Sequence, residues 1–320
     1  MMMARAGLRG IDSRSLAVKC GIAFAVVGAL VATPSLKRLI RRWTLRPRLA
    51  LLNPIIPTSR YSVQACQMLE ELFAAIGCRV ALHEFDVAKE PFDYATLADR
   101  YDGFIIPGSM ASAYDDPATY PWIPTLTATI RQLHERRRPV LGICFGHQMI
   151  SQALGGRVEK NPKGLGAAKC LFDVLPLGAN LGLAEAAGKN VGALQYHHND
   201  IVTRLPNCAA NLACSATCPA HASAVFPTAA EARMAVQRGT APSKPHAITL
   251  QGHPEFSTPT GAEVLADILR HVDGPKFGEG WLAERLPTVD DAATTERAHS
   301  ITRAAMRLLW PVAFNHEASS

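Results

Sequence analysis

The chain alternates apolar runs with helical and strand-like periods. Leu49-Ala-Leu-Leu52 is a short unbroken apolar run, the mark of a strand buried on both faces. From Ser62 to Ile76, apolar residues fall at 65, 68, 69, 72, 73 and 76, a helical face that Gly77 terminates. Arg79 to Phe85 alternates as a second strand, Leu97 to Arg100 belongs to a short helix, and Phe104-Ile-Ile106 is a third strand. A helix from about Leu126 to Arg137 leads to Val140-Leu-Gly-Ile143. Met149, Ile150, Ala153 and Leu154 then follow at helical spacing until Gly155-Gly156 stops them.

Beyond this point the pattern loosens. Residues 157–177 and 191–205 read as short strands and loops, and 207–225, rich in Ala, Cys and Ser, has no clear period. Glu231 to Val236 and Ala247 to Leu250 read as further strands. Thr258 to His271 is amphipathic, with Ala262, Leu265, Ile268 and Leu269 on one face. Strand, helix and strand in this order predict an α/β fold, an open and mostly parallel sheet with helices on both faces. Three segments are expected: a leader over 1–46, a domain over 47–275 and a C-terminal extension over 276–320.

Charge changes the picture once. The chain of 320 residues carries a net +6, yet residues 1–46 hold nine Lys/Arg against one acid, which leaves −2 for the remainder. The body is therefore not a basic nucleic-acid binder. In the leader, Arg5, Arg9, Arg14 and Lys19 precede an apolar run from Cys20 to Ala32, and five more cations follow it. Three readings stay open: an organellar transit peptide, a membrane anchor, or a secretory signal. The run of about 13 apolar residues is short against the ~20 that span a bilayer, and without such targeting the protein is cytoplasmic. The eight cysteines show no zinc spacing, so no metal site is expected. A chain this long whose key residue must be a free thiol fits a reducing compartment.

The candidate chemistry begins at Gly142-Ile-Cys144-Phe-Gly146. A strand, a tight turn and a helix form a nucleophile elbow, in which Cys144 sits at a helix N-terminus. The flanking glycines remove side chains that would clash where strand and helix cross. The second element is Leu250-Gln-Gly-His-Pro-Glu-Phe256. His253 follows an apolar strand and can enter a cleft as a base, and Glu255 can fix its tautomer. Alone, His-Pro-Glu could be a solvated turn; with the elbow upstream it completes an activated cysteine–histidine pair. The third element is Pro107-Gly108-Ser109 at a strand end. The amides of Gly108 and Phe145 are candidates for an oxyanion hole, although Pro-Gly-Ser also suits a plain tight turn.

Together, Gly-Ile-Cys-Phe-Gly-His-Gln, His-Pro-Glu and Asp-Gly-Phe-Ile-Ile-Pro-Gly-Ser resemble the class I glutamine amidotransferase domain over roughly residues 49–272. Asp115-Asp116, Tyr120-Pro-Trp-Ile-Pro124 and Gln251-Gly-His-Pro-Glu-Phe256 look most like its stand-alone members, the gamma-glutamyl peptidases and GMP-synthase-like proteins. The resemblance implies a flavodoxin-like fold with Cys144 as nucleophile, His253 as base and Glu255 as orienting acid. It places Gln148 near the bound glutamyl group. The family's His-x-Asp matches near His197-His-Asn-Asp200, where His197 has either a structural or a substrate role. Lys163-Gly-Leu-Gly166 departs from the peptidase-like members by lacking an acid.

The expectation is a stand-alone cysteine hydrolase of gamma-glutamyl amides, working through a glutamyl thioester without metal or organic cofactor. Two alternatives stand beside it: a glutaminase subunit that hands ammonia to a separate synthase partner, and an idle binding module. The leader adds the prospect of membrane association.

Overall fold

The computed structural model describes residues 46–89, 94–184 and 190–314. The expectations for targeting or anchoring by the leader fall on residues outside this set, save Arg46. Among the described residues, no helix is long and apolar enough to cross a membrane.

The strands and helices, in chain order, are β1 (Arg48–Asn53), α1 (Arg60–Ala75), β2 (Ala81–Asp86), α2 (Tyr94–Arg100), β3 (Gly103–Ile106), α3 (Trp122–Glu135), β4 (Val140–Ile143), α4 (Phe145–Ala153), β5 (Arg157–Lys160), β6 (Gly166–Val174), α5 (Pro176–Asn180), β7 (Val191–His198), β8 (Asp200–Arg204), β9 (Ala209–Cys214), β10 (Ala222–Val225), α6 (Ala229–Arg238), β11 (Ala247–Leu250), α7 (Pro259–Ile268), α8 (Gly274–Phe277), α9 (Glu279–Arg285) and α10 (Ala292–Leu309). A nine-stranded sheet runs β2-β1-β3-β4-β11-β10-β9-β6-β7, and β5 pairs with β8 apart from it. From β2 to β11 every pairing is parallel; beyond β11 an antiparallel wing of β10, β9, β6 and β7 extends the sheet.

The unbroken apolar strands divide their side chains between two cores, as a two-sided sheet requires. Leu49, Leu51, Ile105, Leu141 and Ile143 face one core with Leu69, Leu72 and Phe73 of α1. Ala50, Leu52, Phe104, Ile106 and Val140 face the other with Leu126 of α3 and Met149 of α4. The mouth of the site lies where the parallel strands end, because β3, β4 and β11 all reach it with their C-terminal residues.

Two expectations are corrected. Residues 231–236 are helical, within α6, not a strand. Thr228 caps that helix by accepting from the Glu231 amide at 3.2 Å, and its hydroxyl donates to the Glu231 carboxylate at 2.8 Å. Gly239, at φ 65°, closes it. Helix α3 starts at Trp122, four residues before Leu126. Pro124 sits in its first turn, where a proline deprives the helix of no hydrogen bond.

The segment 276–314 is not a separate body. The compact unit begins at Pro47 and takes it in. Ile301, Ala305, Met306 and Leu309 of α10 are buried in the first core with Trp310 and Phe314.

Candidate active site

The elbow forms as its sequence demands. Cys144 adopts φ 51° and ψ −102°, a conformation that side chains disfavour. Its amide donates to the Leu250 carbonyl at 2.7 Å, which ties the turn to β11. The crossing is tight enough to exclude side chains at both neighbours. A Cβ on Gly146 would lie 2.0 Å from the Ile106 carbonyl oxygen, and one on Gly142 would lie 2.9 Å from the Gly146 backbone. Cys144 is thereby held at the N-terminus of α4, 5% exposed. The Phe145 amide, first in that helix, has no acceptor within the helix.

His253 comes from the end of β11 and is buried on every side. Phe256 stacks on its ring at 4.4 Å between centroids, and Tyr61 meets it edge-on at 5.3 Å. Nδ1 bonds a Glu255 carboxylate oxygen at 2.7 Å, and the backbone N–H donates to the Gln195 carbonyl at 2.8 Å. Nε2 is buried and meets the Cys144 sulfur, with no other hydrogen-bond partner. Burial alone would lower the pKa of this imidazole, yet the negative charge available at the Cys144 sulfur and on Glu255 outweighs it and holds the pKa well above its usual value. A thiol, an imidazole with one open nitrogen and an orienting carboxylate can carry out acyl transfer.

The three remaining sequence candidates, Gly108, Gln148 and His197, are bonded within the protein. Gly108 does not offer its N–H to the space before Cys144, because the Tyr61 hydroxyl accepts it at 3.0 Å. Gln148 also turns away: its amide donates to the Asp200 carbonyl at 2.9 Å and to the Gln251 side-chain oxygen at 3.3 Å. It supports the sulfur indirectly, since the Gln251 amide lies 3.8 Å from Cys144 Sγ. His197 is near the thiol by its backbone, whose carbonyl oxygen is 3.9 Å from Sγ. Its ring instead bonds the buried Asp273 carboxylate at 2.8 Å.

Sequence reasoning missed several groups. Tyr61, at the start of α1, donates to Glu255 Oε1 at 2.8 Å. Gln195 links His253 to the far end of the chain, because its amide donates to the carbonyls of Thr288 and Val289 at 2.7 and 3.0 Å. His198 and Asp200, rather than His197, take the two ends of a His-x-Asp spacing. The Asp200 carboxylate accepts from the hydroxyls of Ser112 and Tyr114, the latter at 2.8 Å. Of these, only the His-x-Asp spacing left a mark in the sequence.

The family model for glutamine amidotransferase class-I matches residues 61–272. Gamma-glutamyl peptidase 3 of Arabidopsis thaliana is 29% identical over 203 residues, which cover 62% of this chain and 71% of that one. Among solved structures, a glutamine amidotransferase of Methylobacillus flagellatus aligns with a TM-score of 0.58 and 18% identity, covering 82% of this chain and 95% of its own. A glutamine amidotransferase of Thermotoga maritima aligns at 0.56 and 16%, covering 82% and 98%. These two share the fold, and the match of the family model spans the elbow, His253 and Glu255 alike. The chain belongs to the class-I glutamine amidotransferase family.

Proposed function

We propose that this protein hydrolyses gamma-glutamyl amide bonds with Cys144 as nucleophile, His253 as proton carrier and Glu255 as the acid that orients it. The Cys144 sulfur, having given its proton to His253, attacks the side-chain carbonyl and a C–S bond forms. The C–N bond breaks as His253 Nε2 passes that proton to the leaving amine, which leaves a glutamyl thioester. Water then loses a proton to His253 and attacks the thioester. The C–S bond breaks, glutamate departs and the thiol is restored. The Phe145 amide at the head of α4 is the donor best disposed to stabilise the developing oxyanion.

One observation carries this reading. His253 is fixed by stacking, by Glu255 and by Gln195, and this leaves Nε2 as the ring nitrogen free to exchange a proton with Cys144. The similarity to a gamma-glutamyl peptidase supports the substrate class.

The test is steady-state turnover by the purified full-length chain, with glutamine and a gamma-glutamyl dipeptide as substrates. The dipeptide is expected to be cleaved with the higher kcat/KM, because its leaving group offers binding energy that ammonia does not. Cys144→Ala is expected to abolish both activities with an unchanged circular dichroism spectrum. A variant that kept more than a few per cent of the rate would sink the mechanism.

A further inference from the structure

Gln251 stands beside the nucleophile, and neither the elbow nor the His–Glu pair accounts for its side chain. It is the first residue after β11. Leu250 lies opposite Ile143 in the β4–β11 ladder, so Gln251 continues that strand next to Cys144. Its backbone N–H donates to the His221 carbonyl at 2.8 Å, and the residue is fully buried. Its side-chain nitrogen lies 3.8 Å from Cys144 Sγ, within reach of a hydrogen bond to sulfur.

An amide has a donating and an accepting end, and the neighbours decide which end meets the sulfur. The Asp200 carbonyl can only accept, so the Gln148 atom 2.9 Å from it is the nitrogen. That same nitrogen lies 3.3 Å from the Gln251 side chain, which must present its oxygen there. The Gln251 nitrogen is thereby turned to Cys144. The opposite orientation would set two donors against each other at Gln148 and an oxygen against the sulfur. Both glutamines are buried, so solvent does not compete for these bonds.

The sulfur therefore has an acceptor for one of its states and donors for the other. The His197 carbonyl, 3.9 Å away, accepts the hydrogen of the neutral thiol. A charged sulfur has no hydrogen to give and takes one from Gln251 and one from protonated His253. Acyl transfer through Cys144 charges the sulfur twice, when its proton leaves for His253 and when the C–S bond of the thioester breaks. A donor fixed in place beforehand needs no reorganisation at either moment.

Resting on the hydrolase reading above, we propose that Gln251 is a further catalytic residue, whose side-chain N–H stabilises the negative charge on Cys144 Sγ during attack and during release from the thioester. Gln148 is its positioning residue. It acts through the Gln251 amide and not on the glutamyl group.

The experiment uses the full-length chain with Gln251→Met, which keeps the length of the side chain and has no N–H. Gln251→Leu is a second variant of different shape, should the first fail to fold. Two rates are measured: turnover of a gamma-glutamyl dipeptide, and alkylation of Cys144 by iodoacetamide, followed by the mass of the peptide that carries it. Each variant is expected to lose about tenfold or more in kcat with KM within about twofold, because the bond is made to a charged, reacting sulfur and not to the substrate. Alkylation of Cys144 should fall about as far, while that of Cys66 stays unchanged. Alkylation of Cys144 that was unchanged or faster would overturn the proposal, as would a loss confined to KM. Gln148→Met is expected to cost about threefold in kcat alone and less than about twofold when added to Gln251→Met, the non-additivity of residues that act in series. A fully additive loss, or a raised KM, would overturn the positioning role and put Gln148 on the substrate. A wild type that turned over no gamma-glutamyl substrate would refute the hydrolase reading, and the alkylation rates would still decide whether Gln251 supports the charged sulfur.

Discussion

The hydroxyl of Tyr61 accepts the amide hydrogen of Gly108 at 3.0 Å. The same hydroxyl donates to Glu255 at 2.8 Å, so one phenol joins the carboxylate that bonds His253 to the loop after β3. Tyr61 remains protonated through the physiological range, because burial and the neighbouring Glu255 push its pKa well up. Tyr61→Phe keeps the ring against His253 and removes only these two bonds. A hydrogen bond to a charged group contributes about 1.5–3 kcal/mol. The expected result is a fall of about tenfold or more in kcat, with KM within about twofold and thermal stability little altered. A rise in kcat would show that the hydroxyl restrains Gly108 more than it supports Glu255.

The backbone of Cys144 makes a second prediction. At φ 51° and ψ −102°, any side chain is strained, by on the order of 1–3 kcal/mol. Glycine relieves the strain but loosens the unfolded chain by about 0.4–1 kcal/mol. Cys144→Gly should therefore be more stable than Cys144→Ala by about 1 kcal/mol, and both should be inactive. Chemical denaturation of the two variants checks it, and equal midpoints would argue that the elbow carries no strain.

Two glycines should respond in opposite degrees. A Cβ on Gly146 meets the Ile106 carbonyl oxygen at 2.0 Å, a rigid backbone contact, so Gly146→Ala is expected to cost about 3 kcal/mol or more, or to prevent folding. Gly155 has φ 93° and nothing within 4 Å of the added carbon. Gly155→Ala should cost only its backbone strain, about 1 kcal/mol. Similar losses in the two variants would contradict the packing described for the elbow.

The elbow and the His–Glu pair were legible because their signals are local. Gly142, Cys144 and Gly146 lie within five residues, and His253 and Glu255 within three. Tyr61 stayed hidden because it reaches Glu255 across 194 residues of sequence, and Gln195 reaches Thr288 across 93. Only the folded sheet brings such residues together. The strands β9 and β10 escaped for another reason: Ala210, Ala213, Ala222 and Ala224 fill a crowded core with methyl groups, so the strands lack the bulky alternation that usually marks them. At α6 the signal was present, in the cap residues Thr228, Glu231 and Gly239 and in the helix formers Ala, Arg, Met and Gln between them, and the strand reading passed over it.

Acid should unfold this protein earlier than its carboxylates alone would require. Burial lowers the pKa of His147 and His221 to about 3, and that of His198 and His246 to about 4. In the unfolded chain each titrates near 6.5. Between these limits the unfolded state binds more protons, so stability is complete above about pH 6.5 and falls as the pH drops toward 4. At pH 5, four groups at ~2 kcal/mol each amount to about 8 kcal/mol, comparable with the whole stability of an ordinary domain. His253, protonated in the native state, adds nothing to this loss. Near-ultraviolet circular dichroism across pH 7 to 3.5 should show a cooperative transition centred between about 4.5 and 6. A native signal that persisted at pH 3.5 would refute the assignment of these histidines as buried and neutral.

Gln195 gives the segment beyond residue 272 a bearing on when the enzyme comes into being. The amide of His253 hangs from the Gln195 carbonyl, and the Gln195 side chain hangs from Thr288 and Val289. Trp310 then seals β3, its indole N–H donating to the Asp102 carbonyl at 3.3 Å. A ribosome releases these residues after the elbow and the histidine have already emerged. The growing polypeptide thus carries a potential nucleophile for many seconds before the pieces that align its partner exist, at translation rates of about 5–20 residues per second. The order Gln195 imposes on His253 therefore waits until the segment that carries Thr288 and Val289 has docked.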